Sequence, residues 1–428
     1  MLQIALPIML SNVSEPLIGV VNTAVIGQLP QPYFIGAITI GSLIFSFLFW
    51  GFGFLRLSTG GLTAQAVGAG DRQELAAVPA RALLIAVSVG LVLLILSPWL
   101  RSAAFSLVGG SADVRLHGET YFNWRIWSAP FALINFSLMG WFIGRARTRY
   151  TLLVQLLLNL TNMALSALFV LVMRWESAGV GLAALMAEII AAAVALAIAA
   201  HEWRRLGLTL DRARIFDAAQ LKSTIAMNSD VLIRTISLLF AFGWFTARGA
   251  RAGDMTVAVN AVLMNFFNVA AYLIDGFASA SETLVGQSIG AKDRLGFRAS
   301  VWLTSLWAVV VGAICALLIV ALGPWFIDIM TVNPEIRETA RHYLGWAALA
   351  PFLGTFCFQF DGIFTGALAT RDMRNMMLAS LAVFMMAWWL LEPRFANHGL
   401  WAAFNIFFVA RGLTFASRMP SLERRAFA

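Results

Sequence analysis

Charge is what this sequence has least of. Only 12% of its 428 residues are Asp, Glu, Lys or Arg, about half the share of an ordinary soluble domain. With 60% hydrophobic residues, the chain has too little polar surface to enclose its apolar side chains in water. Cysteine is nearly absent. Cys315 and Cys357 each lie inside an apolar run, which excludes a disulfide scaffold and reads both as small core residues. The four histidines (His117, His201, His342 and His398) show no metal-ligand spacing. There is no P-loop, no H-E-x-x-H, no G-x-S-x-G and no pair of Asp-rich loop motifs for a metal-diphosphate. The expectation is a protein that is not an enzyme, has no cofactor and no metal site, and draws energy from an ion gradient or a partner. Short alternating segments are missing too, which argues against a membrane barrel.

What is present is long uncharged runs. Residues 35–55, 82–98, 151–173 and 300–323 each reach or approach the roughly 20 apolar residues that cross a bilayer. Polar breaks fall near 28–33, 68–80, 101–120, 145–150, 174–177 and 201–222, then near 248–255, 290–299, 325–342, 367–374 and 392–398. They predict twelve spans, all helical, because lipid offers an open backbone no partner. The apolar run directly after Met1 reads as the first span rather than a cleaved signal peptide. The net charge of +8 is explained by topology. With the N-terminus inside, the inner loops hold the excess of basic residues, including Arg72, Arg145, Arg147, Arg149, Arg204 and Arg205. The positive-inside rule then places both termini on the cytoplasmic side of the membrane. Nucleic-acid binding would need an exposed basic domain, which the chain lacks.

The halves repeat. Residues 64–72, AQAVGAGDR, return at 286–294 as GQSIGAKDR, so Gln65 meets Gln287 at an offset of 222. The same offset maps Gly140, Phe142, Gly144, Thr148 and Arg149 onto Gly362, Phe364, Gly366, Thr370 and Arg371, and Tyr121 and Trp124 onto Tyr343 and Trp346. The fold class expected is an all-α polytopic membrane protein with twelve transmembrane helices in two six-helix lobes. The lobes are expected at residues 1–200 and 223–417, joined by a cytoplasmic linker at 201–222 and followed by a tail at 418–428. Paired halves are the usual build of secondary transporters, with the substrate site between them. Pro7 and Pro16 interrupt the first span, and Pro130 and Pro351 lie in the fourth and tenth, where proline permits a bend. The glycine pair 109–110 reads as a flexible turn.

Ionisable residues inside spans carry the most information, since a central charge costs about 2.5–3.5 kcal/mol on insertion scales. The candidates are Glu15, Arg56, Asp230, Arg234, Asp275 and Glu282, together with Asp361 and Arg411. Glu188 reads as interfacial. Asp230 and Arg234, four apart, suit an ion pair on one helix face. Asp275 and Glu282 are seven apart on a shared face with no basic residue between them. A carboxyl that can take a proton escapes the cost of its charge, so ion coupling is expected at Asp275, supported by Asp361 and Glu282, with Glu282 nearer the inner surface. The repeat mates of Asp275 and Asp361 are Gly53 and Met139, so these carboxylates belong to the second half alone.

Several blocks resemble the multidrug and toxic compound extrusion (MATE) exporters, in particular their DinF-like branch: PLIGVVNTAVIGQL (16–29), FLRLSTGGLTAQAVGA (54–69), NLTNMALSALFV (159–170), the block 257–294, FDGIFTGALATRDMRNMM (360–377) and NHGLWAAFNIFFVARGL (397–413). The resemblance runs nearly end to end. It implies twelve helices around a central cavity and export of organic, often cationic or amphipathic, compounds in exchange for protons or sodium. The partners expected are such a substrate, the ion and the bilayer, with the chain a monomer. The family's first helix usually reads V-D-T where this chain has Val21-Asn22-Thr23. Its fifth usually reads N-x-x-x-D, against Asn162 and Ser166 here, and a threonine of its sixth falls on Ala184. Of that N-lobe cation site only Asn162 remains. The resemblance carries over Asp230, Arg234, Asp275, Glu282 and Asp361 in the C-lobe. Asn22, Asn162, Arg56, Asp230 and Arg234 are thus expected as cavity polar groups or ion pairs. Competing readings are a lipid-linked-precursor flippase, drawing on Arg56, Arg234 and Arg411 for phosphate; a membrane-embedded transferase, which would need His, Asp or Glu clustered in loops; and a degenerate relative without coupling.

Overall fold

The computed structural model describes every residue except 30, 32, 109 and 110, and every side chain except those and 15–17, 20, 23, 107 and 108. The side chains of Glu15 and Pro16 and the turn at 109–110 therefore lie outside the described residues.

The described chain is helical throughout. In order come α1 (Leu2–Ile26), α2 (Tyr33–Ala69), α3 (Arg72–Val108), α4 (Ala112–Gly144), α5 (Thr148–Val172) and α6 (Glu176–Leu206). They are followed by α7 (Ala218–Arg251), α8 (Asp254–Gly290), α9 (Arg294–Met330) and α10 (Pro334–Gly366). A final stretch, Thr370–Ala426, is broken at Ala396 (φ 48°, ψ −128°) into α11 (370–395) and α12 (397–426). Counted with that stretch as one, ten of these elements among the described residues are long and apolar enough to cross a membrane. The break at Ala396 and the addition of α1 bring the number to twelve.

The helices outrun the hydrocarbon. α3, α8 and α9 have 37 residues each, about 55 Å at 1.5 Å per residue, against a hydrocarbon core of about 30 Å. This corrects the expected polar breaks. Most of 101–120 is helix, and of 201–222 only 207–211 and 216–217 are non-helical, with a one-turn helix Arg212–Ile215 between them. Backbone hydrogen bonding continues past the last apolar residue wherever nothing stops it. α4 tightens into a 3₁₀ turn, Ile126–Ser128, just before Pro130, whereas α10 runs on through Pro351.

Two compact units divide the chain: Leu10–Thr224, and Ile225–Ala428 together with Met1–Met9. The first nine residues thus belong with the C-terminal unit rather than with a lobe starting at residue 1. There a Cβ on Gly276 of α8 would strike Met9 and approach the Ala5 carbonyl to 3.0 Å.

The repeat holds at the level of single contacts. In the N-terminal unit, Gly140 of α4 lies against the Arg56 carbonyl and Gly144 against the Gly60 carbonyl of α2. In the C-terminal unit, Gly362 of α10 lies against the Ala278 carbonyl and Gly366 against the Glu282 carbonyl of α8. Every pair is displaced by the offset of the sequence repeat. A Cβ on Gly144 would stand 2.9 Å from Ala64 N, and one on Gly366 3.0 Å from Gly286 N. Small residues at such crossings let helix backbones touch.

The helix ends repeat as well. α4 and α10 both finish on a left-handed residue, Ala146 (φ 57°) and Leu368 (φ 55°). The closing bonds are also the same, Arg147 N to Phe142 O at 2.8 Å and Ala369 N to Phe364 O at 2.9 Å. Asp71 and Asp293 each cap the next helix, accepting from Glu74 N at 2.9 Å and from Gly296 N at 2.8 Å. That Glu74 amide, with Arg214 across a 2.9 Å ion pair, holds the Asp71 carboxyl below its ordinary range. The break before α6, left-handed at Arg174 (φ 58°), maps onto the break before α12 at Ala396.

Around these crossings aromatic residues fill the interior. Trp141 and Phe142 pack with Leu75, Val154 and Ala191 in one unit, and Phe245, Phe267, Trp401 and Phe404 pack together in the other. Gly362→Ala should destabilise the detergent-purified protein by about 1–3 kcal/mol through overpacking, read as a lower melting temperature. Gly140→Ala should behave the same way. Gly243→Ala, where nothing lies within 4 Å, should shift stability by at most about 1 kcal/mol. Equal melting of all three would contradict the crossing.

Candidate functional site

In the C-terminal unit, α7 carries two charged residues one turn apart, and each is tied to a different helix. Asp230 accepts from Arg374 Nη1 at 2.6 Å and from Thr370 Oγ1 at 3.2 Å, both on α11. Arg234 instead pairs with Asp361 on α10. The expected Asp230–Arg234 pair is thus corrected. Spacing on one helix allows such a pair, but partners arriving from α10 and α11 bring better-placed charges, and a charge in an apolar setting takes the best geometry on offer.

Asp361 is 8% exposed and its Oδ2 also accepts from Arg411 Nη2 of α12 at 2.6 Å. One carboxylate oxygen therefore receives two guanidinium groups, and the cluster holds two positive charges against one negative. Arg411 is fully buried, with its guanidinium carbon 5.5 Å from the Phe407 ring and 5.9 Å from that of Phe358. Cation–π contact supports it there. Its Nε and Nη1, and Asp361 Oδ1, have no hydrogen-bond partner. A proton on Asp361 would disrupt both ion pairs and leave the buried Arg411 and the half-buried Arg234 uncompensated. This arrangement makes Asp361 an anchor joining α7, α10 and α12.

On α8, Asp275 is half-buried and Glu282 is 3% exposed. Glu282 is therefore the more enclosed of the two, although it lies nearer the Gly290 end of α8, the end expected to face the inner surface. The crossing with α10 covers it, since its own carbonyl abuts Gly366. Both residues take part in further interactions, so neither counts as isolated.

The N-terminal unit holds the polar remnant that the resemblance singled out. Asn22 (5% exposed), Asn162 (4%) and Ser166 (0%) are buried, and Asn22 Oδ1, Asn162 Oδ1 and Ser166 Oγ have no hydrogen-bond partner. Asn162 and Ser166 share a face of α5. One turn below them, Asn159 donates to Ser14 Oγ of α1 at 2.6 Å, tying the two helices together. Arg56 is half-buried in α2 and forms no ion pair among the described residues. No group of three or more potential metal ligands occurs among the described residues.

Sequence reasoning missed two groups. Arg374 falls at the edge of the polar break expected at 367–374, yet it reaches back to Asp230. Glu188 was read as interfacial, yet its carboxylate accepts from Asn135 Nδ2 of α4 at 2.7 Å in the interior of α6. The long uncharged stretch on both sides of Glu188 was the available signal.

Removing one partner of a buried pair leaves an uncompensated charge. Asp361→Asn should therefore cost about 3–5 kcal/mol of stability. The double variant Asp361→Asn/Arg411→Met should recover part of that loss in the same thermal-unfolding assay. Full stability of the single variant would remove Asp361 from its anchoring role.

Known proteins bear on this arrangement. The sequence profile of the MatE family matches residues 7–168 and 232–389, one block in each half. The chain is 34% identical over 415 residues to the DNA damage-inducible protein F of Escherichia coli, covering 97% of this chain and 90% of that protein. It is 25% identical to the probable multidrug resistance protein NorM of a Synechococcus strain, covering 100% and 94%. A crystal structure of MATE in the bent conformation superposes with a TM-score of 0.89 at 16% identity, covering 100% of this chain and 96% of that one. An outward-facing multidrug resistance MATE family transporter gives 0.88 at 15%, covering 99% and 96%. At such identities the two structures show the fold alone. Family profile and full-length relative agree with a repeat of six helices carrying buried charges: the chain belongs to the MatE family of multi-pass membrane transporters, which are not enzymes.

Proposed function

We propose that the chain is a secondary active antiporter. It exports small organic compounds, cationic or amphipathic, in exchange for protons or sodium, by alternating access between its two lobes. The observation that carries this reading is the pair of carboxylates on α8, Asp275 and Glu282, inside a helix long and apolar enough to cross a membrane. Relatives named for multidrug resistance support the substrate class.

Asp275 is the main ion carrier in this reading, with Glu282 in support. The half-buried Asp275 can exchange an ion with a water-filled cavity, and the buried Glu282 adds negative charge on the same helix face. Binding the ion removes a charge that is costly in hydrocarbon. It then biases the access equilibrium by the difference in ion affinity between the two states. Asp361, expected at first as a second supporting carrier, serves instead to hold α7, α10 and α12 in register, because loading it would break two ion pairs. Asn22, Asn162 and Arg56 contribute polarity without a carboxylate.

The protein sits in a bacterial inner membrane, as a monomer, with both termini in the cytoplasm. The basic stretch that ends α6 and leads to α7, with Arg204, Arg205, Arg212 and Arg214, supports that orientation.

Asp275→Asn should abolish pH-driven efflux of a cationic dye from cells while leaving folded protein in the membrane. Normal efflux by that variant, alongside a dead Asn22→Ala, would move coupling to the N-terminal lobe. For topology, Ala213→Cys should react with a membrane-impermeant thiol reagent only after the cells are opened. Both native cysteines are buried, so background labelling is low. Labelling in intact cells would reverse the orientation.

A further inference from the structure

Glu188 lies about 18 Å from the first residue of α6 and about 27 Å from the last at 1.5 Å per residue, within the span of a hydrocarbon layer about 30 Å thick. It is half-buried and forms no ion pair among the described residues. Its partner is the amide of Asn135 on α4. Asn135 Nδ2 donates to Glu188 Oε2 at 2.7 Å and to the Glu188 main-chain carbonyl at 3.3 Å.

The other end of that amide is informative. Asn135 is 1% exposed, and its Oδ1 is buried with no hydrogen-bond partner. An ionised carboxylate only accepts, so it can use the amide's donor and never its acceptor. A protonated carboxyl can use both. With Oε2 still accepting from Nδ2 and Oε1–H donating to Oδ1, acid and amide would close a two-bond ring, and the orphaned acceptor would be filled. The Asn135 amide is thus complementary to the protonated acid.

The charged group of α4 that acts on Glu188 is Arg125. Its guanidinium carbon lies 5.2 Å from the Phe45 ring and 5.7 Å from that of Tyr121. The helices α2 and α5, also packed against α6, contribute no ion pair to Glu188 among the described residues.

We propose that Glu188 and Asn135 form a proton-binding site in the N-terminal unit, supplying the carboxyl that Asn22 and Ser166 do not. Loading makes one Oε1–H bond, and unloading returns that proton to water. The site's part in transport rests on the antiport reading, but its existence can be tested without transport.

Two measurements separate these claims. Infrared difference spectra of the detergent-purified protein, taken between acidic and alkaline pH, should show a carboxylic-acid carbonyl band that Glu188→Gln removes and Asn135→Ala shifts. Glu188→Gln keeps a side chain able to pair with the Asn135 amide, and its melting temperature should match the wild type. A spectrum unchanged by Glu188→Gln would overturn the site. In proteoliposomes with an imposed pH gradient, ethidium movement by Glu188→Gln should fall to the level of protein-free vesicles, with Glu188→Asp retaining part. Wild-type pH dependence in Glu188→Gln would overturn its role in coupling. Failure of the wild type to move ethidium would instead count against the antiport reading, while the infrared result still decides the site.

Discussion

Direct contact between backbones at two glycines is the constraint on which each unit depends. Gly140 and Gly144 bring α4 onto α2, and Gly362 and Gly366 bring α10 onto α8. In lipid there is little hydrophobic gain in bringing helices together, so close packing and polar contacts must supply the association. A side chain at any of these positions would push the helices apart. The consequences reach the charged groups. Asn135 lies on the same helix five residues from Gly140, and Asp361 directly precedes Gly362, so both residues ride on the helices that make the crossings. The capping aspartates and left-handed helix ends repeat with the glycines, which shows that crossing and helix termini behave as one module used twice.

The two units handle charge differently within that shared frame. The C-terminal unit neutralises most of its buried charge locally, with Asp230 against Arg374 and Asp361 against Arg234 and Arg411. Such pairs bind helices together but resist losing either partner. The N-terminal unit also pairs its buried Arg81 and Glu202, with Glu74 and Arg145, but leaves Glu188 without an ion pair among the described residues. Buried polar atoms stay unfilled in both units, at Asn22, Asn135, Asn162 and Ser166 in one and at Asn228, Gln359 and Asn405 in the other. The difference in charge placement sits on a symmetric backbone and comes from a few substitutions, since Asp361 falls where the other half has Met139.

Sequence and structure part company most where a charge had to be assigned a depth or a partner. Glu188 reads as interfacial from its place toward the inner end of its span, but α6 runs on to Leu206 and leaves that carboxylate in the helix interior. Asp230 and Arg234 suggested a pair because helical spacing is the relation a linear sequence displays; their actual partners are 127 or more positions away. Glu282 appeared closer to water than it is because the covering helix, α10, arrives from another part of the chain.

Periodicity, composition and repetition are properties of the chain itself, so the sequence alone determined the membrane class, the helical spans and the duplication. The glycine contacts repeat with the offset read from the sequence, and the break expected near 392–398 became the left-handed turn at Ala396. Partner choice for each buried charge, the extension of helices beyond the apolar runs and the attachment of Met1–Met9 to the C-terminal unit were decided by tertiary packing. Each depends on which surfaces meet after the helices have formed, and the energy of a charge in a low-dielectric interior is set by neighbours within a few ångströms in space, whatever their separation along the chain.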